Sequence, residues 1–83
     1  YGGDEFIFLF PGTGPDDAQV KCDALCAAMR DMRFKKHPEI RLTCSMGYAT
    51  LPHTALSADE LKEKSDKALY RAKEDGRDRA YSA

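Results

Sequence analysis

Gly2-Gly3-Asp4-Glu5-Phe6-Ile7-Phe8-Leu9-Phe10 is the stretch whose reading decides the fold. Phe6 to Phe10 is an unbroken apolar run of strand-forming residues. Such a run suits a strand covered on both faces and central in a sheet. The glycine pair before it suits the tip of a hairpin. Pro11-Gly12-Thr13-Gly14-Pro15 ends the run in a loop. Tyr1 opens the chain without Met and inside a turn, so the chain reads as the C-terminal part of something longer.

Outward from that strand, the pattern changes period. A helix is predicted from Pro15 or Asp16 to Met32. Ala18, Cys22, Leu25, Met29 and Met32 recur at helical spacing and form one apolar stripe. Asp16 and Asp17 suit the positive end of the helix dipole, and Arg30, Arg33, Lys35 and Lys36 its negative end. Pro38 closes the connection. Ile40, Leu42, Cys44, Met46 and Tyr48 then alternate with Arg41, Thr43, Ser45, Gly47 and Ala49, which reads as a strand with one apolar face. Gly47 inside it marks a bulge or a close approach by backbone or ligand. Pro52 ends it. Ser57 and Glu60 form a capping-box signature ahead of the second helix. Its inner stripe is Leu61, Ser65, Ala68, Leu69 and Ala72, and Gly76 is its stop. The order is turn, strand, helix, strand, helix and a short tail.

Composition bounds the function classes. The chain has 83 residues and a formal net charge of −1, with 42% hydrophobic and 33% charged residues. That is one domain at most. With basic and acidic residues nearly balanced, no large basic field speaks for a nucleic acid polymer as partner. No apolar run approaches the roughly 18 residues of a membrane span, and nothing resembles a signal peptide, so no membrane contact is expected of this segment. Three cysteines are an odd number without the spacing of a disulfide framework or a zinc site. They read as reduced, mostly buried thiols in a cytoplasmic protein. His37 and His53 lie in loops beside prolines and receive no role. Nothing around Thr43 or Ser45 supports a hydrolase triad.

Two constellations carry chemistry. Gly2 and Gly3 allow backbone to approach a ligand. Asp4 and Glu5 beside them could hold Mg2+, which takes one or two carboxylates plus substrate phosphates. On a regular strand the two acids point to opposite faces, so sharing one site needs a bent turn. The plain alternative is a polar turn with solvated acids. Lys73 and Arg77 bracket Gly76 at the end of the second helix. They suit phosphate, Arg as a planar fork and Lys as a point charge. The plain alternative there is a solvated helix end complementing the dipole.

Taken together, these stretches resemble a known family. Tyr1-Gly2-Gly3-Asp4-Glu5-Phe6 resembles the signature of the GGDEF domain, the diguanylate cyclases. Thr43-Cys44-Ser45-Met46-Gly47-Tyr48-Ala49 resembles that family's second marker, near VSIGVA. Ser65 to Arg79 resembles its third, near ADxALYxAKxxGRNR, with Asp78 where Asn is most common. Three markers in order across nearly the whole chain are specific, and they overturn both plain alternatives. The resemblance implies an α+β nucleotidyl-cyclase fold, with a central sheet flanked by helices and similar to a ferredoxin-like core. It implies condensation of two GTP into cyclic di-GMP with release of pyrophosphate, by two GGDEF subunits facing each other as a homodimer. Asp4 then matches the metal-binding acid, also proposed as the base for the ribose 3′-hydroxyl, and Glu5 the adjacent essential acid. Gly2 and Gly3 lie against the nucleotide, Lys73 and Arg77 hold its phosphates, and Mg2+ is the cofactor, with Mn2+ as a substitute.

By the same resemblance, residues 1–83 are the C-terminal half of one GGDEF domain. The family's first strand, with a second metal-binding Asp, two helices carrying guanine- and phosphate-binding residues, and an Arg-x-x-Asp product-inhibition site precede the signature. The missing strand pairs beside the signature strand, so Phe6 to Phe10 is expected to keep an open apolar edge here. Alone, the chain is expected to be poorly folded or aggregation-prone, and inactive. The parent is expected to carry an upstream sensory or receiver domain. Beside the enzyme stand two other readings: a degenerate GGDEF domain that binds GTP or cyclic di-GMP to regulate a partner, and a ferredoxin-like interaction domain with a chance match.

Overall fold

A computed structural model describes residues 7–83. The turn and the acids at residues 1–6, and with them the hairpin tip and Phe6, lie outside the described residues. The order is α1 (Pro15–Asp31), β1 (Met46–Tyr48), α2 (Ala58–Glu74) and β2 (Ala80–Ser82). The strands pair in parallel, with Met46 opposite Ala80, Gly47 opposite Tyr81 and Tyr48 opposite Ser82. α2 is the crossover that a parallel pair requires.

Local signals explain both helices. α1 starts with Pro15, whose fixed φ and missing N–H suit a first helical position. Asp16 and Asp17 fill its first turn and Arg30 its last. At α2, the Ser57 hydroxyl accepts from the Glu60 N–H at 3.1 Å, the N-cap half of the expected box. The Glu60 carboxylate turns instead to Lys64, 3.5 Å away. Replacing Ser57 by Ala is expected to cost about 1 kcal/mol, the usual worth of such a cap. A thermal melt of the variant beside wild type measures it; an unchanged melt contradicts the assignment. At the other end Gly76, with φ 118°, reverses the chain. The Arg77 N–H bonds the Ala72 carbonyl at 2.9 Å and the Gly76 N–H the Lys73 carbonyl at 3.4 Å. That pair of bonds is a Schellman motif, which satisfies the last carbonyls of the helix.

α2 lies directly on β1. A Cβ on Gly47 would meet the Leu69 amide nitrogen at 2.1 Å and the Ser65 carbonyl oxygen at 2.2 Å. Of the two readings of Gly47, close backbone approach is the one the fold uses. The expected inner stripe of α2 faces inward, with Ala68 and Ala72 fully buried. α1 packs against β2. Cys22, Cys26 and Ala80 form the core there, with Cys44, Met46 and Tyr48 packed on them. No large side chain is fully buried among the described residues, so the core is built of Ala and Cys.

Four expectations change. Residues 7–10 form no strand, and Ile7, Phe8, Leu9 and Phe10 are 56%, 57%, 75% and 40% exposed. A strand exists through its ladder, and no backbone hydrogen bond joins residues 7–10 to another strand among the described residues. Within the run Phe8 and Phe10 stack at 6.5 Å, and Lys21 Nζ sits 5.6 Å from the Phe10 ring. The second expected strand, Ile40 to Tyr48, shortens to Met46–Tyr48, because β2 offers only a short partner. Ile40 and Leu42 stay exposed. The tail is not structureless, since Ala80–Ser82 is β2. The buried line of α1 runs Ala18, Cys22, Cys26, while Leu25 and Met32 are exposed. Small residues let α1 sit close to β2, which the larger side chains of the predicted stripe would prevent.

Candidate functional site

The turn that follows α2 collects more constraints than its length suggests. After Gly76, Arg77 and Asp78 both adopt the left-handed region, with φ of 63° and 50°. For L-residues that region costs about 1–2 kcal/mol each, least for Asn and Asp, whose short side chains bond locally. This accounts for Asp78 where the resembling family mostly has Asn: both tolerate the conformation.

Side chains from elsewhere hold the turn. Asp78 donates its backbone N–H to the Ser45 hydroxyl at 3.2 Å. Its carboxylate accepts twice from Arg30 Nε of α1, at 3.1 and 2.9 Å. Arg79 Nε donates to the Arg77 carbonyl at 2.8 Å, and the Arg79 carbonyl accepts from the Met46 N–H at 2.9 Å. Asp78 beside Arg30 raises the guanidinium's proton affinity further, mainly through the hydrogen bond.

The two cations singled out in the sequence are placed as follows. Lys73 is half-buried in the last turn of α2. With Asp66, Leu69 and Tyr70 it lines a shallow groove of about 280 Å³. Arg77 is exposed, beyond the helix that Gly76 ends, so the pair does not share a helical face. Its guanidinium has no partner among the described residues. Gly2, Gly3, Asp4 and Glu5 fall outside the described residues. Among the described residues no group of three or more His, Cys, Asp and Glu is disposed to hold a metal ion.

A wider groove of about 580 Å³ lies on another face of α2, lined by His53, Thr54, Lys64, Lys67, Arg71 and Ala83. Its cations are engaged. Lys64 Nζ donates to the Thr54 carbonyl at 2.7 Å, Lys67 pairs with Glu63 at 3.2 Å, and Arg71 donates to the Ser82 carbonyl at 2.7 Å. Lys64 and Arg71 tie α2 to its surroundings, while the Lys67–Glu63 pair lies within the helix.

The thiols are core groups. Cys22 and Cys26 are buried and Cys44 is half-buried. Cys44 Sγ lies 3.5 Å from Cys26 Sγ, which in turn donates to the Cys44 carbonyl at 3.6 Å. Burial, then the hydrogen bond with Cys44, pushes the Cys26 thiol up to about 12. A thiol so protonated is a poor nucleophile. Tyr48 donates its hydroxyl to Gln19 Oε1, joining β1 to α1.

The residues that sequence reasoning missed are Arg30 and Ser45. Arg30 reads in the sequence as a complement to the helix dipole, and no spacing links it to Asp78. The only signal was Asp at a position just past a Gly stop.

Comparison with known proteins covers the same stretches. The family model described as "Diguanylate cyclase, GGDEF domain" matches residues 1–79. The diguanylate cyclase DgcM of Escherichia coli is 37% identical over 83 residues, covering 100% of this chain and 20% of the relative. The diguanylate cyclase DgcP of Pseudomonas aeruginosa is 36% identical over 81 residues, covering 95% of this chain and 12% of the relative. MucR of Pseudomonas aeruginosa, a bifunctional diguanylate cyclase and cyclic di-GMP phosphodiesterase, is 33% identical over 76 residues, covering 92% of this chain and 11% of the relative. The chain therefore spans no more than 20% of the length of these relatives. No solved structure matches.

Proposed function

The chain belongs to the GGDEF-domain family of diguanylate cyclases, and on that premise we propose that residues 1–83 form the C-terminal half of one GGDEF domain. In a longer protein that domain condenses two GTP into cyclic di-GMP. In each half-reaction a ribose 3′-oxygen loses its proton and bonds to the α-phosphorus of the other GTP. The bond from that phosphorus to the β-phosphate oxygen breaks, and pyrophosphate leaves. Two subunits, each with one GTP, face each other. The nucleotidyl-cyclase fold of the complete domain belongs to this proposal, as does an upstream sensory or receiver domain.

The observation that carries the proposal is the family match over residues 1–79, which includes all three ordered markers. The chemistry of the residues agrees with it. Asp4 and Glu5 are hard oxygen donors of the type Mg2+ accepts. Bound there, Mg2+ would neutralise phosphate charge as it develops on the leaving group. Asp4 also has the chemistry of a base for the 3′-hydroxyl. Arg77 presents an exposed fork with no partner among the described residues, free for a phosphate. Lys73 adds a point charge at the helix end. Gly2 and Gly3 let backbone approach the nucleotide. No helix among the described residues is long and apolar enough to cross a membrane.

The phosphate assignment is tested by GTP binding to the full-length protein in Mg2+, measured by titration calorimetry. Arg77→Ala removes charged hydrogen bonds of about 1.5–3 kcal/mol, so affinity is expected to fall roughly tenfold to a hundredfold. Lys73→Ala is expected to act in the same direction. Unchanged affinity in both variants contradicts the assignment.

A further inference from the structure

Arg30 lies in α1, 48 residues before Asp78, yet its Nε donates to both carboxylate oxygens of Asp78 at 3.1 and 2.9 Å. The same turn is held by Ser45, which accepts the Asp78 N–H, and by the Ala72 carbonyl, which accepts the Arg77 N–H. Three separate parts of the chain therefore fix one turn. Within it, Arg77 and Asp78 are consecutive non-glycine residues in the left-handed region. Such conformations persist where the surroundings over-determine them, and they gather at ligand clamps. All these ties end on backbone or on Asp78. The Arg77 guanidinium itself stays exposed, with no partner among the described residues.

Charge points the same way. Asp78 directly follows Arg77, and a naked carboxylate there would oppose an arriving phosphate. Arg30 at salt-bridge distance cancels it. The pair is half-exposed on the Arg30 side, and pairs of that kind add little to global stability. Its consequence is local.

We propose that Arg30 is a positioning residue for nucleotide phosphate. Through Asp78 it fixes the Gly76–Arg79 turn and neutralises the carboxylate beside Arg77, so that the Arg77 fork meets the triphosphate in the right place. This inference rests on the reading of Arg77 as a GTP-phosphate ligand.

The test is a mutant cycle on the full-length protein, reading the dissociation constant for GTP in Mg2+. Arg30→Ala is expected to weaken binding about fivefold to tenfold in an otherwise wild-type protein. In an Arg77→Ala background it is expected to weaken binding less than about twofold, because the group it acts through is gone. Asp78→Asn keeps a left-handed-tolerant residue without the charge, and combined with Arg30→Ala it is expected to restore affinity to within about threefold of wild type. A general structural defect would be neither abolished by Arg77→Ala nor rescued by Asp78→Asn. If Arg30→Ala lowers the melting temperature sharply, Arg30→Gln, which keeps a donor, replaces it in the cycle. An Arg30→Ala effect that is equal in both backgrounds, or absent while Arg77→Ala weakens binding, overturns the inference alone. GTP affinity indifferent to Arg77→Ala overturns the phosphate-site reading, and the inference with it.

Discussion

Gly47→Ala is expected to destabilise the domain by at least about 3 kcal/mol, the upper end of what overpacking costs. The reason is the identity of the neighbours. The added Cβ would lie 2.1 Å from the Leu69 nitrogen, 2.2 Å from the Ser65 oxygen and 2.7 Å from the Leu69 Cα. All three are backbone atoms of a helix, so no rotamer change relieves the clash. β1 must instead move away from α2. That movement pulls Met46 and Tyr48 from the core around Cys22 and Cys26, and it strains the short ladder to Ala80–Ser82. It also loosens the turn that holds Arg77, because the Arg79 carbonyl bonds the Met46 N–H at 2.9 Å. Urea unfolding of wild type and variant measures the cost directly. A loss below about 1 kcal/mol would show that β1 and α2 do not meet so closely.

What was legible in the sequence was what local chemistry decides. α2 can be read from its ends inward: Ser57 bonds the Glu60 N–H, and Gly76 takes the positive φ that stops the helix. The close approach at Gly47 was legible as one of two meanings of a glycine in a strand. What needed tertiary partners was not legible. Ile7 and Phe8 carry as strong a strand preference as any residues in the chain, yet propensity makes no ladder without a neighbour. The short Ala80–Ser82 strand has too few residues to display a period, and it exists because α2 returns the chain beside β1. The inward line of α1 passed through Cys26 rather than Leu25, because the space against β2 favours small side chains. For the site, Lys73 and Arg77 were legible as cations at a helix end and gained meaning only through the family markers. Asp4 and Glu5 rest on motif alone. The pairing of Arg30 with Asp78 spans 48 residues, and no spacing in the sequence links the two.

The second large effect is expected at Asp4. In the proposed reaction this acid serves the metal and the 3′-hydroxyl together, so no other residue of the chain replaces it. Loss of a general base alone costs about a hundredfold to ten-thousandfold, and loss of a metal carboxylate adds to that. Asp4→Ala is therefore expected to lower turnover at least about a thousandfold, and the variant's thermal melt beside wild type separates this loss from unfolding. The decisive measurement is cyclic di-GMP formation from GTP and Mg2+ by the full-length protein, beside its Asp4→Ala variant. The account predicts product from wild type and essentially none from the variant. No product from a folded, dimeric wild-type protein, or equal product from both, would contradict it.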